Sequence, residues 1–587
     1  MSGPLASVID RIARVGMSRA EARVRATLRR LSTDLAPVTI RHQPPVRNFG
    51  NFHAARAILK SELQIGEVRM PLRDLTPWEL DLGDPSLSDP LHRFRWLDDM
   101  EALGTKPARE RAVGWTLGWL DRFSDGSGPG WAADIAATRF MRLLTHIPFL
   151  EKALIDAQSA SIHDSLALHA AYLDQSPEPV ATALGRLQII AARLHAALCL
   201  DTALLSDRPL ADLREFCTTA IAEDGSIASR NPEELLAILQ QILWLRDLAG
   251  ECETALPDAV DTAIQTIAPV LRGLRLGDGS LVRFHGGGAA SEGALDAALA
   301  ASRARGRPGD APAMGFARLM GARTIVIVDV ARPPMGTDRA HASTLGIEMS
   351  SGRRPLLVST GPVLGWKEDW NRAPRTTAAH NTLSLDKTSS SRFAPARASG
   401  KTGQDALAAR PALVTLTRAR DGTGCWMQAR HDGYLENYGL IHERRLFISA
   451  DGRELHGEDV LLSPDQKAQR RFQSRIKGAA QLGVAVNLNF HLHPDVSARI
   501  DRATDRIHLT LKSGEVWLFR HSGGLMDIEP SVFIASALSQ PVEARQIVIR
   551  NHTTRHEASF GWSLVREDDA TQAVRDLGID AREPAGH

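Results

Sequence analysis

The chain has 587 residues, too many for a single hydrophobic core, so two or more domains are expected. Its 70 Lys and Arg stand against 69 Asp and Glu, and the net charge of +1 excludes the strongly basic class of nucleic-acid binders. The balance still leaves room for a local basic groove facing an acidic polymer. Four cysteines, Cys199, Cys217, Cys252 and Cys425, are widely spaced and form no CxxC pair. They read as idle thiols rather than a disulfide framework or a metal site.

Residues 12–30 are rich in Arg and Ala with spaced Ile, Val and Leu, the pattern of a basic amphipathic helix. A plain surface helix and one resting on a membrane surface are both open. No apolar stretch approaches the ~20 residues of a membrane span, and the first residues lack a basic segment followed by an apolar one, so a cytoplasmic location is expected. From about residue 90 to 275 the pattern is helical. Leu143, Leu144, Ile147 and Leu150 recur at helical spacing, as do Leu184, Leu187, Ile190, Leu194 and Leu198. Leu235, Leu236, Ile238, Leu239, Ile242 and Leu243 follow behind Asn231-Pro232, which suits a helix start.

The pattern changes over residues 276–310. Gly277-Asp-Gly-Ser and Gly286-Gly-Gly read as turns, and residues 289–307 read as loose chain. Short β patterns then follow one another, at residues 324–329, 355–359, 412–417, 483–490, 506–511, 516–519 and 545–550. Many short strands separated by turns indicate an antiparallel sandwich.

Three segments of the second half carry the chemistry. His380-Asn381-Thr382 stands directly before the alternating run Leu383-Ser384-Leu385. Upstream lies Arg339-Ala-His341-Ala-Ser343, and downstream Asn489-Phe-His491-Leu-His493-Pro494. In this order, behind a helical first half, they resemble the heparinase II/III family of polysaccharide lyases. The resemblance covers most of the chain. It implies an α-helical (α/α) toroid over residues 31–300 and an antiparallel β-sandwich over residues 310–570. A helical extension at 1–30 and a polar tail at 571–587 complete the division, and a ligand cleft is expected between toroid and sandwich. The implied activity is β-elimination on an acidic, uronate-containing glycan, with no nucleic-acid partner. The implied structural divalent metal is zinc, held by His341 and His380, with no other cofactor required. Members of the family are often exported, which sets the periplasm or cell envelope beside the cytoplasmic expectation.

Residue by residue, the chain departs from the family pattern. Arg339 occupies a catalytic histidine position, Ser343 and Ser359 occupy metal-ligand aspartate positions, and Glu234 occupies a tyrosine position. Leu184-Gly-Arg-Leu187 lies where an Asn-His step is expected. Two imidazoles without a carboxylate make a poor zinc site, so a hydrogen-bonded pair without metal stands beside the metal reading. Proton transfer is assigned to Tyr434, His380 or Glu234. Tyr434 is one of only three tyrosines, and a buried ring with a satisfied hydroxyl is its competing role. Substrate contacts are assigned to Arg230, Asn231, Arg339, Arg375 and Asn381, with Trp366 and Trp370 as sugar-stacking rings. Arg139, Arg142 and Asp278 are further candidates beside turns. His491 and His493 read as a structural pair. His341 and His380 are expected to meet at the cleft mouth, and Arg339 and Glu234 to face the cleft within shared reach of a ligand. Two other functions are open: a non-catalytic glycan-binding or envelope-polysaccharide assembly protein, and a glycoside hydrolase using Glu234.

Overall fold

The computed structural model describes residues 4–567 apart from 34, 37, 74, 81, 83, 176–179, 202–207, 289–291, 365–369, 395–405 and 478–482. The first half is helical, as its apolar periodicity requires. Four successive inner helices, α1 (Arg95–Leu103), α2 (Ala133–Leu150), α3 (Ala183–Cys199) and α4 (Pro232–Glu251), pack each on the next. Between them in sequence run Lys106–Phe123, Asp156–Gln175 and Pro209–Thr219, and Asp258–Gly273 follows α4. The α4 stripe Leu235, Leu236, Ile238, Leu239, Ile242 and Leu243 is buried in the toroid core. Asn231 caps α4 by accepting from the N–H groups of Glu233 and Glu234, and Pro232 opens its first turn.

The inner helices start at one end of the toroid, and side chains tie these starts in a row. Arg93, just before α1, forms an ion pair with Asp134 of α2 and reaches Gln188 of α3 at 3.2 Å. Glu234 of α4 accepts from the N–H of Leu184 in α3 at 3.2 Å. Four helix N-termini therefore present their positive ends to the same side.

Two of the candidate toroid residues lie elsewhere. Arg139 is fully buried inside α2. It donates to His169 Nε2 at 2.9 Å and to the His92 and Gly130 carbonyls, and its guanidinium lies 3.9 Å from the Trp119 ring centroid. Arg142 is paired with Asp98 at 2.8 Å. Part of the stretch read as loose chain is a helix, Ala294–Ser302, because Leu295, Ala298 and Leu299 close onto the toroid core.

Among its described residues the second half forms three larger antiparallel sheets and a two-stranded one of Arg392–Phe393 and Leu407–Ala409. The first runs β1 (Phe316–Gly321), β2 (Thr324–Asp329), β3 (Ile347–Ser351) and β4 (Arg354–Leu357) in sequence order. Another starts at β5 (Leu383–Leu385). A large eight-stranded sheet opens with β6 (Val414–Arg420), β7 (Gly424–His431), β8 (Ile441–Ser449) and β9 (Glu454–Leu462). β10 (Val484–His491) pairs with β5 and returns the chain to the smaller sheet. β11 (Ser497–Asp501), β12 (Arg506–Thr510) and β13 (Val516–His521) extend the large sheet. β14 (Leu525–Phe533) and β15 (Val542–Thr553) complete the small one, and β16 (Glu557–Arg566) closes the large one between β9 and β13. β7 shows the expected alternation: Cys425, Met427, Ala429 and His431 point in while Trp426, Gln428 and Arg430 face solvent.

Toroid and sandwich meet along several contacts. The hairpin Glu62–Ile65 and Val68–Pro71 reaches the 536–540 loop, where the Glu67 N–H donates to the Leu538 carbonyl at 2.8 Å. The glycine loop 286–288 inserts between the α4 start and Arg339.

Candidate functional site

The site forms where the helix starts face the glycine loop. Gly286 has φ +85°, and a Cβ there would lie 2.9 Å from the Arg339 side chain, so only glycine lets Arg339 lie across the loop. At the other end of the loop, the Gly288 N–H donates to Glu233 Oε2 at 3.1 Å. Burial pushes the Glu233 carboxyl up; Arg339, the Gly288 N–H and Arg95 counter it, and the net direction stays upward. Arg339 and Arg95 are exposed and Glu233 is half-buried, so two guanidinium groups and one protonatable carboxyl face the opening.

Arg339 is exposed beside the glycine loop, and its carboxyl neighbour is Glu233 and not the expected Glu234. Glu234 has both oxygens engaged, Oε1 by the Leu184 N–H and Oε2 by the Ser229 hydroxyl at 2.6 Å. Adjacent helical residues differ by about 100° around the axis, which turns one carboxyl to the loop and the other to α3.

Other expected contacts are absorbed by the fold. Arg230 is a clamp between toroid and sandwich: Nε donates to Met314 O, Nη1 to Arg332 O, and Nη2 to Gly315 O, each at 3.0 Å. Its Nη2 also pairs with Asp329 of β2 at 2.6 Å. Burial raises the Asp329 carboxyl, but Arg230 and His285 outweigh this and hold it far below the usual carboxylate range. Asn231 is the α4 cap. Arg375 is fully buried, donating to the Ala340 carbonyl at 2.9 Å beneath the Phe393 ring. Asn381 is fully buried as well; its amide donates to Ile347 O at 2.6 Å and its oxygen accepts from the His491 N–H. Asp278 accepts from Ser280 within its own turn. His491 bridges the Ala378 carbonyl and the Ser531 hydroxyl, both at 2.7 Å. Trp370 is half-buried, and Trp366 lies outside the described residues.

Tyr434, the first choice for proton transfer, is fully enclosed in the sandwich core. Its hydroxyl donates to the Leu383 carbonyl at 3.0 Å, and burial pushes the phenol far up. It cannot touch a polymer in the cleft. His341 and His380 do meet, Nδ1 to Nε2 at 3.2 Å, but neither is exposed, so they lie beneath the cleft and not at its mouth. Burial, then the charges of His285 and His491, pushes His380 down to about 3. Burial likewise sends His341 well below the ordinary range. Both imidazoles are neutral, and proton transfer to a cleft ligand falls to neither.

A second enclosed network lies deeper. His442 joins His431 at 3.2 Å and Asp459 at 2.7 Å, and Asp459 also takes Arg444 and the Trp562 N–H. The patterns that mark Asp329, His285, Glu348 and Asp459 as buried polar groups are invisible in a strand-like run of sequence. Only Glu233 carried a signal, as a first-turn residue after Asn231-Pro232.

Residues 303–563 match the Heparinase II/III-like, C-terminal family. Over those residues the chain is similar to that family. Over the whole chain the fold is shared with solved polysaccharide lyases. A crystal structure of heparinase III superposes with a TM-score of 0.68 at 13% identity, covering 95% of this chain and 91% of that one. A heparan sulfate lyase HepC mutant from Pedobacter heparinus gives 0.56 at 13% identity, covering 97% and 92%. In sequence, FtsZ-localized protein C of Caulobacter vibrioides is 29% identical over 497 residues, 81% of each chain. The toroid packed on a heparinase II/III-like sandwich is thus the expected architecture, with several of the expected site residues drawn into its core.

Proposed function

We propose that this chain uses a polysaccharide-lyase scaffold to bind an acidic, uronate-containing glycan without cleaving it. The observation that carries this reading is the content of the cleft. β-Elimination needs a group to neutralise the uronate, a base for the C5 proton and an acid for the departing O4. Arg339 suits the first task, since a guanidinium fork fits a carboxylate. It cannot accept a proton near neutral pH. Tyr434 and His380 are sealed in the core, and Glu234 is engaged by Leu184 and Ser229. Glu233 is left with no partner acid beside it among the described residues of the cleft. Hydrolysis is no better served, since it uses two carboxyl groups flanking the bond.

Titration calorimetry with a uronate oligosaccharide tests this reading. The wild-type chain is expected to bind, and Tyr434→Phe to bind with the same affinity while losing about 1 kcal/mol of stability for its buried hydrogen bond. A wild-type chain that binds no uronate oligosaccharide, or a Tyr434→Phe variant that folds but no longer binds, would sink it.

A second reading is favoured by the relative whose name places it with FtsZ. We infer that this chain also associates with FtsZ filaments, its glycan cleft serving envelope-polysaccharide assembly. Co-sedimentation with polymerised FtsZ is the expected result, and a chain left wholly in the supernatant contradicts it.

A further inference from the structure

The heparinase II/III resemblance implies a metal on His341 and His380, and the donor set does not fit one. His341 Nε2 lies 3.1 Å from the Gly286 N–H, which can only donate. That nitrogen is therefore unprotonated, and a neutral ring carries its proton on Nδ1. The Nδ1 proton points to His380 Nε2 at 3.2 Å. A metal bound at His341 Nδ1 would strip both nitrogens of protons and require an imidazolate. On His380 the order repeats: Nε2 accepts, so Nδ1 carries the proton, and it faces Ser359 Oγ at 3.0 Å. Ser359, at a ligand position of the family pattern, thus lies on the far nitrogen of His380, away from the point the two rings share. A neutral hydroxyl is also a weak substitute for a carboxylate ligand.

The chain of donors continues past Ser359. Its backbone N–H donates to Glu348 Oε1 at 3.0 Å. Glu348 also accepts from the Arg283 N–H, at 3.3 and 3.2 Å to its two oxygens. Every member from His341 to Glu348 is fully buried. We propose that a one-directional hydrogen-bond chain, Gly286 to His341 to His380 to Ser359 to Glu348, replaces the structural metal of the family pattern. It fastens the glycine loop of the cleft to β3, to the segment after β4 and to the His-Asn-Thr segment before β5. A hydrogen-bonded chain of this kind suits an enclosed site that a cation would enter only by losing its hydration.

The test is metal analysis of the full-length chain purified without chelator, together with thermal melts. The expected result is substoichiometric zinc and a melting temperature unchanged by EDTA or by added zinc. Ser359→Ala removes one small hydroxyl and leaves the His380 Nδ1 proton unpartnered, while the backbone N–H of residue 359 still reaches Glu348. It is expected to melt about 2–4 °C lower, with or without zinc. Stoichiometric zinc whose removal lowers the melting temperature overturns the proposal. So does a Ser359→Ala variant that melts with the wild type.

Discussion

Arg230→Ala is expected to cost about 3–5 kcal/mol of stability, the penalty for leaving one partner of a buried ion pair alone. Asp329 is wholly enclosed, and its carboxylate is held ionised by Arg230, by His285 Nε2 at 3.3 Å and by the Ser343 hydroxyl at 2.7 Å. Removing the guanidinium also takes its donors from the carbonyls of Met314 and Arg332 at the toroid–sandwich seam, while Gly315 O keeps the Val330 N–H. Urea denaturation followed by circular dichroism reads the effect as a lower midpoint. The double variant Arg230→Ala, Asp329→Asn should recover part of the loss, because the stranded charge is gone. A single variant with the wild-type midpoint would show that Arg230 is not the clamp described.

Arg339→Glu is expected to weaken uronate-oligosaccharide binding about 100-fold or more, because it sets a like charge against the ligand carboxylate beside Glu233. The same cleft predicts the pH dependence. The raised Glu233 carboxyl takes up its proton at a higher pH than an ordinary carboxyl, while a uronate stays ionised. The cleft then gains positive character, so affinity should rise on going from pH 8 towards pH 5, and Glu233→Gln should flatten that slope. For stability the sign is the same. A carboxyl raised in the folded state favours the fold below its unfolded value and loses that contribution as pH rises through the folded one. Calorimetry across pH measures both variants. Arg339→Glu binding as tightly as wild type would remove Arg339 from the cleft.

Periodicity made the architecture legible. Helical stripes such as Leu235 to Leu243 and alternating runs such as residues 324–329 each became the element their spacing dictates. The pairing of His341 with His380 was legible from the family pattern, because both close onto neighbouring strands. Burial of single polar side chains was not legible. For Tyr434 the sequence left a catalytic role and a buried ring with a satisfied hydroxyl side by side, and the structure buries it with its hydroxyl on the Leu383 carbonyl. Arg230 reads as a substrate contact until the Met314–Gly315 and Ala331–Arg332 carbonyls fold around it. Glu233 and Glu234 are indistinguishable as neighbours in a sequence. The helix separates them, one facing the glycine loop and the other capping α3.

Loss of chemistry with retention of the cleft is tested most directly by incubating the full-length chain with uronate polymers. Near-ultraviolet absorbance follows unsaturated product while binding of the same polymers is recorded in parallel. Saturable binding with a flat absorbance trace is the predicted result. A sustained rise in absorbance that scales with protein concentration, and that disappears in Arg339→Glu, would contradict it and place a working lyase in this cleft.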